Sequence, residues 1–131
     1  MVISLLGHNE SPMDIEALCK AEGLKFFWIE LAGANKDTLN AATFLPKKLR
    51  ELFKALSDEK HTAVVHCAAG IHRTGTICYT LLRLGGMSAT EAMSALKEMR
   101  EETAKGVGKW RIDFGESLVG RSRIQKNQVK S

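Results

Sequence analysis

The sequence predicts a single α/β domain, with a parallel-rich central sheet flanked by helices. Three observations carry that expectation. Short apolar runs at 2–6, 24–31 and 62–66 are separated by stretches with helical spacing, and strands that alternate with helices imply parallel pairing. Right-handed crossovers place the C-terminal ends of such strands at one edge, where open α/β sheets bind ligands. The length, 131 residues, suits one domain.

Taken in order, Val2 to Leu6 reads as a short buried strand. Ser11-Pro12 is a helix start, with Ser11 as N-cap and proline in the first turn; Ile15, Leu18 and Cys19 follow on one face, and Gly23 ends the helix. Leu24 to Leu31 is apolar and aromatic, as a strand should be, with Trp28 a core or edge aromatic. Ala32 to Thr43 reads as a loop. Phe44 to Leu56 is an amphipathic helix carrying Leu45, Leu49, Leu52, Phe53 and Leu56, with Pro46 in its first turn. Thr62 to His66 is the third strand. A loop leads from it into a helix over 74–84, closed by Gly85-Gly86. Ser88 and Glu91 form a capping box that opens a helix to about Arg100. A last helix is expected over 109–119, followed by a polar, frayed stretch over 120–131. Met87, Met93 and Met99 are read as fillers of core gaps.

Composition narrows the function classes. No apolar run approaches the ~18 residues of a membrane-spanning helix, and the first residues lack the basic region of a secretory signal. The three cysteines, Cys19, Cys67 and Cys78, are an odd number without repeating spacing. That argues against a disulfide framework and for a reducing compartment, cytoplasm or nucleus. No Cys/His set suggests zinc, and no metal or organic cofactor is expected. The net charge of +4 is placed unevenly: residues 1–102 sum to −1 and residues 103–131 to +5. The basic end is read as a solvated tail, and no nucleic-acid partner is expected.

The chemistry concentrates in His66-Cys67-Ala68-Ala69-Gly70-Ile71-His72-Arg73-Thr74-Gly75, between a buried strand and a helix. Backbone N–H groups from Ala68 to Arg73 can curl round a phosphate as an anion nest. Gly70 permits a backbone angle closed to other residues. The following helix points its positive end at the same spot, and Arg73 can grip two oxygens at once. In that field the Cys67 thiol should ionise at neutral pH and become a nucleophile. Thr74 could donate a hydrogen bond to the sulfur, and His66 should fix the geometry of the loop. The bland alternative is a structural cysteine beside a helix cap, which would leave Arg73 and the glycines unexplained.

These residues resemble the signature of the protein tyrosine phosphatase superfamily: His-Cys, five residues, Arg, Ser or Thr, Gly. His66, Cys67, Arg73, Thr74 and Gly75 match it. The resemblance covers about residues 1–119, a small dual-specificity-type domain, and leaves 120–131 as a basic polar tail. It implies a phosphotyrosine phosphatase-like fold lacking N-terminal edge strands, since relatives carry a strand or two before the position of Val2. It also implies phosphomonoester hydrolysis through a phosphocysteine. The phosphate would be held by Ala68, Ala69, Gly70, Ile71, His72 and Arg73, with His66 and Gly75 in support. The family's general acid is an aspartate roughly thirty residues before the cysteine. Asp37 fits by position; Asn35 stands where some relatives carry their acid but cannot donate the proton, and Glu30 is the less favoured substitute. Without a working acid the chain would be a phosphate-reading binding module.

The resemblance also bears on the substrate. The larger tyrosine phosphatases use a Trp-Pro-Asp loop that this chain lacks, so a shallow pocket for phosphotyrosine, and for phosphoserine or phosphothreonine, is expected. The partner is then a phosphorylated protein. Inositide phosphatases often place lysines in the loop; here Ala68, Ala69, Ile71 and His72 supply none, although the ending Gly70-Ile-His-Arg-Thr-Gly is similar to that of a plant and fungal group acting on inositol pyrophosphates. Cys19 and Cys78 are expected in the core. In some relatives a second cysteine pairs reversibly with the nucleophile, which for Cys19 would need a Cα separation within about 7 Å.

Overall fold

The computed structural model describes residues 1–59 and 62–130, with side chains at all of these except 59 and 121–130. Three short parallel strands, β1 (Val2–Ser4), β2 (Phe26–Trp28) and β3 (Val64–His66), form one sheet in the order β2-β1-β3. Val2 is in register with Phe26 on one side and Val64 on the other, and Ser4 with Trp28 and His66. Helices α1 (Pro12–Ala21), α2 (Lys36–Ala41) and α3 (Leu45–Glu59) make the crossovers, and α4 (His72–Leu84) follows β3. Three more helices, α5 (Ala89–Met99), α6 (Glu101–Gly106) and α7 (Lys109–Lys130), complete the fold. The chain leaves β1 toward β2 and returns on the other side to β3. The strand order therefore reverses at β1, where open parallel sheets place their ligand crevice.

The core forms where the apolar periodicities meet. Ile3 of the central strand and Leu5 just after it, Ile29 and Leu31 after β2, and Leu45, Leu49 and Leu52 of α3 are fully buried with Ile77 of α4 and Leu118 of α7. The spacing of the three α3 leucines keeps them on one face. A second cluster of Cys78, Leu96 and Val107 lies between α4 and the C-terminal helices. Helix α4 is buried from Arg73 to Thr80. Its threonines are accommodated because Thr76 and Thr80 donate their hydroxyls to the carbonyls of His72 and Thr76, both at 2.7 Å.

The expectation of a parallel sheet short of N-terminal edge strands agrees with this architecture: β3 lies at the sheet's edge, and its Val64 is exposed. Several boundaries and packing expectations differ. The loop expected over 32–43 contains α2, because the Asn35 side chain caps it by accepting from the Thr38 N–H at 2.8 Å and Leu39 anchors it in the core. Ser11 sits at the N-cap of α1 but its side chain makes no capping bond. It also closes a 3-10 turn at His8–Glu10, which holds it at φ 59°, ψ 50° in the left-handed region rather than the extended N-cap geometry. Of the three methionines, only Met93 packs against the core; Met87 and Met99 are exposed, since six-residue spacing does not keep side chains on one helical face. Helix α7 runs past Val119 to Lys130, where a frayed end was expected; Ser131 and the side chains of the basic tail lie outside the described residues.

Candidate active site

The loop after β3 closes into a cradle around the Cys67 sulfur. The Gly70 N–H donates to Sγ at 3.2 Å and the Thr74 hydroxyl at 3.0 Å. Gly70 has φ 71°, a region that side chains make costly, which is why glycine stands there. Helix α4 begins at His72, two residues earlier than the spacing predicts, so Arg73 and Thr74 are already in its first turn. Both are buried there, while Ala68, Ala69 and His72 are exposed at the mouth.

Burial disfavours the Cys67 thiolate. Hydrogen bonds from the Thr74 hydroxyl, the Thr74 and Gly70 backbone and the charge on Arg73 together outweigh that penalty, so the thiol pKa lies below its ordinary value. Cys78, buried one helical turn beyond Thr74, shows the opposite balance. Desolvation, helped by the charge at Cys67, pushes its thiol up to about 12. Cys19 is buried as well, and all three cysteines are free.

Arg73 is the most tightly held side chain of the site. Its Nη1 donates to Glu10 Oε1 at 2.6 Å and to the carbonyls of Leu31 at 2.7 Å and Leu5 at 3.3 Å, while Nη2 donates to Glu10 Oε2 at 3.0 Å. Groups following β1 and β2 thus converge on a residue following β3. Glu10 is oriented in turn by the Gly7 N–H, which donates to Oε1 at 2.9 Å. The Arg73 hydrogen bond chiefly, then that of Gly7, lowers the Glu10 pKa to about 2. These contacts occupy Nη1 and one edge of Nη2. Arg73 also interacts with the Cys67 sulfur, and the Nε–Nη2 edge of its guanidinium has the side-on fork geometry that suits an anion.

Asp37 lies exposed in the first turn of α2. The preceding turn is fastened to α7: Arg111 Nε donates to the Ala34 carbonyl at 2.9 Å, and Lys36 and Arg111 both lie over the Trp110 ring, at 5.8 and 4.4 Å from its centroid. Glu30 pairs instead with His8 on the surface at 2.8 Å. His66 holds the loop through its backbone, its carbonyl accepting from the Leu5 N–H at 2.9 Å; its buried Nε2 has no hydrogen-bond partner among the described residues. Gly75 lets α6 approach, because a Cβ there would meet Val107 at 2.7 Å.

Glu10, Arg100 and Thr103 do not stand out in the sequence. The one available signal for Glu10 was an acidic residue just past the end of the central strand, at the edge where the loop was expected. Arg100 and Thr103 sit among charged helix-end residues with no distinguishing pattern.

Comparison with known proteins agrees with this geometry. A family model described as "Dual specificity phosphatase, catalytic domain" matches residues 5–112. Dual specificity protein phosphatase 14 of Homo sapiens is 37% identical over 74 residues, 53% of this chain and 37% of that protein. Its Mus musculus counterpart is 30% identical over 91 residues, 62% of this chain and 46% of that protein. A stretch of 50 residues, 38% of this chain, is 46% identical to 12% of the Arabidopsis thaliana protein named phosphatidylinositol 3,4,5-trisphosphate 3-phosphatase and protein-tyrosine-phosphatase PTEN1. The chain therefore spans less than half the length of each of these relatives.

Proposed function

We propose, from the premise that this chain belongs to the dual specificity phosphatase catalytic-domain family, that it hydrolyses phosphomonoesters through a phosphocysteine at Cys67. The observation that carries the reading is the sulfur's setting, with two donors within 3.2 Å and an arginine fixed beside it. In the first step the Cys67 thiolate attacks phosphorus and the bond to the leaving oxygen breaks. Asp37, as its carboxylic acid, gives that oxygen a proton. In the second step Asp37, now carboxylate, takes a proton from water as the water attacks phosphorus. The S–P bond breaks, inorganic phosphate leaves, and the Thr74 hydroxyl stabilises the departing thiolate. The side-on fork of Arg73 and the N–H groups of 68–73 hold the phosphoryl oxygens, and do so most strongly as charge spreads in the transition state. Glu10 keeps the fork in place before substrate arrives, so little reorganisation is left for the reaction.

The substrate proposed is phosphotyrosine in proteins, with phosphoserine and phosphothreonine admitted by a shallow mouth; the two matched phosphatases named for dual specificity favour it. The likeness to the plant protein named for a phosphoinositide as well as for phosphotyrosine supports an inositide as the second reading. No helix among the described residues is long and apolar enough to cross a membrane; the three free cysteines support a cytoplasmic or nuclear setting.

One panel tests the proposal: an aryl phosphate, a phosphotyrosine peptide and a soluble inositol phosphate, assayed with wild type, Cys67→Ser and Asp37→Ala. Wild type should release phosphate, most readily from the peptide, and be blocked by vanadate. Cys67→Ser should be inactive, and Asp37→Ala should be slowed about 10²–10⁴-fold. Full activity of Cys67→Ser would overturn the mechanism, an unchanged Asp37→Ala would move the acid elsewhere, and a preference for the inositol phosphate would select the second reading.

A further inference from the structure

The back of the phosphate loop is held by two residues that no sequence motif marks. Arg100, at the junction of α5 and α6, donates from Nη1 to the carbonyls of Ala69 at 2.9 Å and Gly70 at 3.1 Å. Thr103, 2% exposed within α6, donates its hydroxyl to the same Gly70 carbonyl at 2.5 Å. A trans peptide points its C=O and its N–H in opposite directions. Holding the Ala69 carbonyl outward therefore turns the Gly70 N–H inward, onto the Cys67 sulfur it meets at 3.2 Å. Holding the Gly70 carbonyl outward turns the Ile71 N–H toward the phosphate site.

We infer that Arg100 and Thr103 are positioning residues that lock two successive peptide planes of the loop in the anion-binding orientation. The lock answers a specific weakness. Gly70 is the residue of the loop freest to change its backbone angles, being at φ 71° with no side chain. A cavity of about 360 Å³ borders Gly70, His66 and Thr74 on this side and gives a turning peptide room. The contact is close enough that a Cβ on Gly70 would clash with Arg100 Nη1. Helix α6 cannot slide easily off the loop, because Gly106 and Gly75 fit against Ile71 and Val107 with no space for a methyl group. Without the lock, the flipped peptides would present carbonyl oxygens to the thiolate and the phosphate, turning two donors into two repulsive dipoles.

This inference rests on the reading of the loop as a phosphate site, yet it can be tested without turnover. The experiment follows iodoacetamide alkylation of Cys67 against pH, resolved by peptide mass mapping from the buried Cys19 and Cys78, together with vanadate affinity. The variants are Arg100→Gln, Thr103→Val and Thr103→Ser. The other charged and titratable groups around the sulfur (Arg73 with Glu10, His66, His72 and the Cys78 thiol) are the same in all of them; Arg100→Gln also removes a positive charge, and Thr103→Val changes none, so its loss of vanadate affinity reports on the lock apart from that charge. In Arg100→Gln, losing the Gly70 N–H should raise the alkylation midpoint by about one pH unit and weaken vanadate about tenfold; Thr103→Val, which releases only the Gly70 carbonyl and with it the Ile71 N–H, should weaken vanadate with little change in the midpoint. Thr103→Ser, which keeps the hydroxyl, should behave as wild type. Arg100 is half exposed, so Arg100→Gln reports on the lock without a core defect even if Thr103→Val folds poorly. Midpoints and vanadate affinities equal to wild type in Arg100→Gln would overturn the inference. A wild type that shows the low midpoint but hydrolyses no phosphoester would instead overturn the proposed activity and leave the lock standing.

Discussion

Replacing Glu10 with glutamine isolates what holds Arg73 in place. The change keeps size and shape, removes the charge and turns one of the two acceptors into a donor facing Nη1 or Nη2. Each charge-assisted hydrogen bond is worth about 1.5–3 kcal/mol. One third of the Glu10 side chain meets water, and Arg73 keeps the Leu5 and Leu31 carbonyls, so the net loss should lie near the low end, about 2 kcal/mol. For a domain of this size that lowers Tm by about 8 °C. The sign of the pH dependence follows from the direction of the shift. The Glu10 pKa is lowered from 4.5 to about 2 on folding, so between those values the unfolded chain binds the extra proton. The stabilisation is complete above pH 4.5 and is lost as pH falls toward 2. Urea unfolding of wild type and Glu10→Gln from pH 7 to pH 2.5 should show a gap of about 2 kcal/mol that closes toward the acid end. The variant's KM for an aryl phosphate should also rise, because the fork is no longer pre-aimed. Equal stability at pH 7, or a gap that stays constant with pH, would refute the assignment of Glu10 as the partner that orients Arg73.

Three further outcomes are expected. Thr74→Val removes the hydroxyl at 3.0 Å from the sulfur, so the pH at which Cys67 becomes reactive should move up, as read from alkylation rates; an unmoved profile would show that the backbone and Arg73 suffice. Gly75→Ala places a methyl group 2.7 Å from Val107, and should destabilise the fold by about 1–3 kcal/mol in thermal or urea melts, with Val107→Ala recovering part of the loss. Leu49→Ala empties a fully buried position in the main cluster and should cost about 2–5 kcal/mol in urea unfolding.

How much of this was legible in the chain follows from which interactions are local. The three strands and the helices at 12–21, 45–59 and 89–99 announce themselves by periodicity, by proline in a first turn and by the capping box of Ser88 and Glu91. The stretch from His66 to Gly75 is legible because every part of the cradle comes from ten consecutive residues. The partners that aim and brace it are not. Glu10 reaches Arg73 across 63 positions, Leu5 and Leu31 offer only carbonyls, and Arg100 and Thr103 grip backbone atoms of Ala69 and Gly70. Backbone acceptors leave no trace in side-chain identity, and one acidic residue in a turn looks like any solvated charge. Helix α2 was hidden for a related reason, since Asn35 reads equally as a loop residue and as a cap.

A Cys67 sulfur that bonds to phosphorus during turnover, as proposed, leaves an intermediate that can be trapped. Rapid acid quench of Asp37→Asn with a radiolabelled phosphopeptide, followed by mapping of the labelled peptide, tests it most directly. Label is expected on the peptide carrying Cys67, appearing before free phosphate and absent from Cys67→Ser. Label on another residue, or hydrolysis with no labelled protein and no loss of rate in Cys67→Ser, would contradict it.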